Sequence, residues 1–144
     1  MRILLIEPDY RNKYPPLGLM KISTFHKLQG DYVHFFKGCS KELLSKKWDR
    51  IYIATLFTFY WKKTIQTIEF YKNAVKSPAD VFVGGVMASL AGDEIEAETG
   101  VTVIRGLLDQ PEMLFVQKLR SLPRACLEAA TLLCIQSAAE EATV

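Results

Sequence analysis

Apolar residues gather in five short runs over the first three quarters of the chain: Arg2 to Glu7, Tyr32 to Phe36, Asp49 to Phe57, Asp80 to Gly85 and Val101 to Ile104. Each is too short for a helix and rich in β-branched or aromatic residues, so each predicts a strand. Ile3, Leu4, Leu5 and Ile6 follow one another without a polar break, the mark of a strand buried on both faces. Between the runs the apolar period changes. Leu17, Met20, Phe25 and Leu28 recur at helical spacing and stop at Gly30, which predicts a first helix. Ser40, with a hydroxyl suited to capping, opens a short helix through Lys46. Ile65, Ile68, either Tyr71 or Phe70, and Val75 form the inner stripe of a long helix over Lys62 to Lys76. Val86 to Glu98 predicts one further helix, apolar at its start, acidic at its end and capped by Gly100.

Strands alternating with helices at this spacing imply a parallel, doubly wound sheet. The expectation is a Rossmann-like or flavodoxin-like three-layer α/β/α domain over residues 1–111, with five parallel strands in the order 2-1-3-4-5. After Pro111 the character changes, and residues 112–144 predict a helical tail. One helix is expected over Glu112 to Leu119, Pro123 interrupts, and Arg124 to Val144 is rich in Ala and Leu without one clean apolar stripe.

Composition narrows the class. A chain of 144 residues with 49% hydrophobic content can bury a proper core. Its formal net charge of +2 gives neither a nucleic-acid footprint nor a funnel for acidic substrates. Lysines gather at Lys37, Lys41, Lys46, Lys47, Lys62 and Lys63 among aromatic residues, a pattern read as a solvated face. Cys39, Cys126 and Cys134 are odd in number and lack ligand spacing, which implies free thiols in a reducing compartment. The apolar start gives way to Glu7 and Asp9 too soon for a signal peptide, and Ile51 to Trp61 falls short of the ~20 residues of a membrane span. A soluble, cytoplasmic protein without membrane or nucleic-acid partners is expected.

Candidate chemistry sits at strand ends. Gly84 and Gly85, with no Cβ atoms, permit a sharp turn or the close approach of a ligand. Asp9 to Pro16 is a long loop after the first strand, where open α/β sheets carry function. Thr55-Leu56-Phe57-Thr58-Phe59-Tyr60-Trp61 sets four aromatics and two more hydroxyls beside it, as a lid or as a hydrophobic staple into the next helix, the staple or core role being favoured. His26 and His34 stand apart from any Cys, Asp or Glu cluster, and read as structural or surface residues. No nucleophile elbow, Walker loop, Cys-x-x-Cys or Gly-x-Gly-x-x-Gly is present. Glu7 and Asp9 invite comparison with a phosphoryl-accepting acidic cluster, but the third strand ends Ala54-Thr55-Leu56-Phe57 without the carboxylate such a cluster needs.

Three segments together carry a family resemblance: Met1-Arg2-Ile3-Leu4-Leu5-Ile6-Glu7-Pro8, Tyr14-Pro15-Pro16-Leu17-Gly18-Leu19, and Ala79-Asp80-Val81-Phe82-Val83-Gly84-Gly85. The stretch Met1 to Pro111 resembles the N-terminal cobalamin-binding domain of radical S-adenosylmethionine (radical SAM) enzymes. The resemblance implies a Rossmann-like fold, cobalamin as cofactor, and a nucleotide tail lying near Thr55, Gly84 and Gly85 with Arg105 and Gly106 at the edge. Departures are plain. No Asp-x-His-x-x-Gly motif supplies a cobalt-ligating histidine, and Gly106-Leu107 stands where the family often has Gly-Glu. The Cys-x-x-x-Cys-x-x-Cys that would hold an iron-sulfur cluster is missing, so the radical reaction is not expected of this chain alone. The resemblance therefore implies a non-catalytic, truncated domain whose partner is a radical SAM catalytic domain or a second copy. Two other expectations stay open: a flavodoxin-like domain binding a nucleotide or flavin, and a structural or interaction domain with no ligand.

Overall fold

The computed structural model describes residues 1–106. Five strands, β1 (Arg2–Glu7), β2 (Tyr32–Lys37), β3 (Arg50–Thr55), β4 (Val81–Gly85) and β5 (Thr102–Ile104), alternate with helices α1 (Leu17–Leu28), α2 (Lys41–Ser45), α3 (Trp61–Tyr71), α4 (Val86–Leu90) and α5 (Gly92–Thr99). The expected helices over Glu112 to Leu119 and Arg124 to Val144 lie outside the described residues, as do Cys126 and Cys134. All strands pair in parallel in the order β2-β1-β3-β4-β5. The fold is thus the Rossmann-like or flavodoxin-like doubly wound sheet that the alternation of periods implied.

Two cores flank the sheet because successive side chains of a strand point to opposite faces. On one face Ile3, Leu5, Tyr52 and Ala54 meet Leu19, Met20 and Ile22 of α1. On the other Leu4, Ile6, Ile51, Ile53, Val81 and Val83 meet Ile65 and Ile68 of α3, Met87 of α4 and Ile95 of α5. Burial is uneven on the α1 side. There Phe82, Gly84, Thr102 and Ile104 of β4 and β5 are only half-buried.

Several boundaries differ from expectation. The third strand stops at Thr55 rather than Phe57, and the chain makes a 3-10 turn over Thr58–Tyr60 before α3 begins at Trp61. Ser40 occupies the cap position of α2, yet its side chain makes no cap bond; its backbone amide instead donates to the Tyr71 hydroxyl at 3.0 Å. Tyr71 in turn donates to the Gly38 carbonyl at 3.0 Å, and burial pushes its phenol up to about 12. The single helix expected over Val86 to Glu98 is two helices, broken at Ala91 (φ −130°, ψ 38°). The break turns Gly92 inward against Arg105, where a Cβ would fall 2.6 Å from Nε. Among the described residues no helix is long and apolar enough to cross a membrane.

Candidate functional site

Parallel pairing brings the ends of all five strands to one edge, and the order reverses between β1 and β3. Loops leaving these two strands meet there. Tyr10, from the loop after β1, is 2% exposed and lies against the start of α3. Its hydroxyl and that of Thr64 are 2.5 Å apart, and its ring is 4.9 Å from that of Tyr60. Tyr60 continues to Phe59 at 4.5 Å, and Phe59 stacks on Phe57 at 5.1 Å with 9° between planes. The result is an aromatic ladder that starts buried at Tyr10 and ends exposed, with Phe59 at 74% and Phe57 at 49%. Of the nine exposed large apolar side chains among the described residues, Tyr14, Leu17, Phe57, Phe59, Val86 and Leu90 all stand on this side of the molecule. Single exposed apolar residues are ordinary, and the stacked Phe57 and Phe59 are the two of these six whose rings meet.

Thr55 and the glycine pair lie at the centre of the edge, in adjacent strands that register Thr55 against Gly85 and Ala54 against Gly84. The Thr55 hydroxyl, 2% exposed, donates to the Gly84 carbonyl and accepts from the Ala88 amide, both at 3.0 Å. A strand residue therefore caps α4, supplying the acceptor that its first turn lacks. That helix has only five residues, and its Ala88 amide is taken up by the fold itself. Gly85 has φ +115°, and a Cβ there would collide with the Thr55 carbonyl oxygen. Close approach of β3 thus accounts for this glycine. Gly84 differs. A Cβ at Gly84 would meet only Ile104, at 3.8 and 3.9 Å, which is ordinary contact, so the described neighbours leave room for a side chain.

Arg105 and Gly106 sit where β5 runs out. Arg105 Nη2 donates to Asp93 at 2.5 Å and to Glu96 at 2.9 Å, and the latter bond holds the Glu96 carboxyl below its ordinary range. The Gly106 amide donates to Ser89 Oγ at 2.9 Å, and Ser89 donates to the Gly85 carbonyl at 2.8 Å. These bonds string Gly85, Ser89 and Gly106 together along the edge. The structure therefore brings Thr55, Gly84, Gly85 and Gly106 into one neighbourhood, with Arg105 bound to α5 beside it.

No protein-family model and no curated protein matches the chain. The case for a site rests on its own residues. Besides Tyr10, sequence reasoning missed the role of Asn12. Its side-chain amide donates to Glu7 Oε1 at 2.5 Å, while Lys37 donates to the Asn12 carbonyl and side-chain oxygens at 2.9 and 3.0 Å and lies 3.8 Å from Glu7. Burial nevertheless raises the Glu7 carboxyl above its ordinary value. A charge ending a fully apolar strand, followed by a long polar loop, was the available signal. Cys39 is a free, exposed thiol, and partial burial pushes its pKa up, away from thiolate chemistry. Among the described residues no three His, Cys, Asp or Glu side chains are grouped as a metal site requires.

Proposed function

We propose that the chain is a binding domain without catalysis of its own, of the cobalamin-binding kind that its strand-end motifs resemble, and that it works beside a radical SAM catalytic partner. The observation that carries this reading is the room beside Gly84. The sheet face around it is half-open at Phe82, Thr102 and Ile104, and nothing described there requires a glycine. A strand end next to a face that the described residues cover only in part fits a slender nucleotide tail, and Gly84 adds no side chain to fill that space. Thr55, Gly85 and Ser89 support the shape of the edge through their mutual bonds and do not themselves reach outward. Bound cobalamin would supply cobalt-centred chemistry to the partner. The part of this chain is to hold and orient.

The test is titration of the full chain with hydroxocobalamin, followed by co-elution on gel filtration and by the visible spectrum. Gly84→Val is the informative variant, because it fills the space without the backbone collision that any side chain at Gly85 meets. Co-elution by the parent chain, lost in a Gly84→Val chain of unchanged circular dichroism, supports the reading. Absence of binding at high micromolar ligand removes it, and the exposed apolar surface then favours the second reading, a ligand-free interaction domain.

A further inference from the structure

We infer that Phe57 and Phe59, with Arg11, Lys13 and Lys62 on the chain segments that meet at Tyr10 and Tyr60, form a second binding place on the same edge, one that takes a flat heteroaromatic ring carrying a phosphate. Two independent observations meet here. The first is the stacked phenylalanine pair at the outer end of the ladder. Even with Phe57 stacked on it, Phe59 keeps 74% of its surface in water. Tyr60 lies against it at 4.5 Å, and Tyr10 backs Tyr60 in turn at 4.9 Å. A braced, solvent-facing ring presents a face on which a heteroaromatic ring can stack.

The second observation is charge. Arg11 and Lys13 lie in the loop that contributes Tyr10, and Lys62 lies one residue past the start of α3. All three are exposed and have no carboxylate partner among the described residues. The described carboxylates in and just before the first loop have other partners. Glu7 is buried against Asn12 and Lys37, and Asp9 faces Lys63, whose Nζ also donates to the Asp9 carbonyl at 2.6 Å and lies 5.9 Å from the Tyr60 ring centre. These segments thus combine an aromatic face with cations that have no ion pair among the described residues. An apolar partner alone would leave those cations without partners, and a plain anion would leave the phenylalanine pair exposed. A phosphate-bearing heteroaromatic ring satisfies both.

This inference does not depend on cobalamin. Flavin mononucleotide and riboflavin share one ring and differ by the phosphate, so titrating the full chain with each, read by quenching of flavin fluorescence, separates stacking from charge. Flavin mononucleotide is expected to bind about tenfold tighter than riboflavin. Phe59→Ala should weaken both by about tenfold, while Phe59→Tyr keeps them. The double change Arg11→Glu with Lys13→Glu should weaken flavin mononucleotide and leave riboflavin as it was. Equal affinity for the two flavins, an unaffected Phe59→Ala chain, or no quenching at millimolar flavin mononucleotide overturns the inference. Cobalamin co-elution that persists in Phe59→Ala leaves the Gly84 reading standing, and flavin binding without cobalamin binding does the reverse.

Discussion

The two ends of the sheet are finished in different ways. At the end where strands begin, several charged groups are matched. His26, 1% exposed, has Nδ1 2.7 Å from Asp31 and Nε2 3.1 Å from the Tyr52 hydroxyl, and Asp31 also accepts from the Met1 amino group at 2.7 Å. Arg2 lies 5.2 Å from the centre of the buried Trp48 ring, and its amide donates to Asp49 at 2.7 Å. At the end where strands finish, Thr55, Ser89 and Arg105 are matched in the same manner, yet a ladder of aromatic faces is left over. Matched groups stabilise a fold and then have nothing further to offer a ligand. Exposed lysines without an ion pair among the described residues also stand where strands begin, at Lys46, Lys47 and Lys76, so what sets the finishing edge apart is its ladder of exposed aromatic rings.

The comparison can be broken at its strongest joint by Gly85→Val. Left-handed backbone strain and collision with the Thr55 carbonyl should together cost roughly 2–4 kcal/mol, read as a lowered urea midpoint. Gly84→Val should cost far less, so equal losses would show that both glycines serve the fold alone.

At the opposite edge, His26→Leu leaves Asp31 and Tyr52 short of a buried partner, an expected loss of about 1–3 kcal/mol. The same variant carries a pH signature. Burial holds the His26 imidazole below its ordinary 6.5 in spite of Asp31. Below that value the unfolded chain binds more protons than the folded one, so stability falls as pH drops from about 7.5 to about 5.5. His26→Leu should lack that part of the fall. Glu7 acts with the opposite sign above its ordinary 4.5, because its carboxyl is raised, and Asp31 acts only below 3.8. An identical pH profile in the two chains would remove the buried imidazole from the account.

Smaller effects sharpen the contrast. Thr55→Val deletes the acceptor for the Ala88 amide and should cost about 1 kcal/mol, with Thr55→Ser recovering most of it. Phe59→Ala should change the urea midpoint by less than about 0.5 kcal/mol, since the ring is exposed. A larger loss there would make the ladder a folding element and not a surplus.

Strand positions and order were legible because a buried parallel strand leaves an unmistakable run such as Ile3 to Ile6, and because short connections permit few topologies. The glycine pair was legible as a turn. What distinguishes Gly84 from Gly85 was not, since it depends on which neighbour each would strike, Ile104 or Thr55, and both contacts cross between strands. Phe57 was read as strand because it prolongs an apolar run, but chain direction changes after Thr55, whose hydroxyl is committed to α4. The break at Ala91 was hidden for a similar reason. Residues 86–98 suit one helix locally, and the seat of Arg105 beside Gly92 is set by β5, far along the chain. Tyr10 and Asn12 gave little signal because their partners Thr64, Lys37 and Glu7 are joined only in the folded state.

Tyr10 carries one more consequence. Its ring occupies the gap between the loops after β1 and β3, the slot where chains of this topology most often admit a guest. With that slot filled by the protein's own side chain, a ring stacked on Phe57 and Phe59 would rest on top of the sheet edge and not within it, so the described residues would hold it as a tray does and not as a vault.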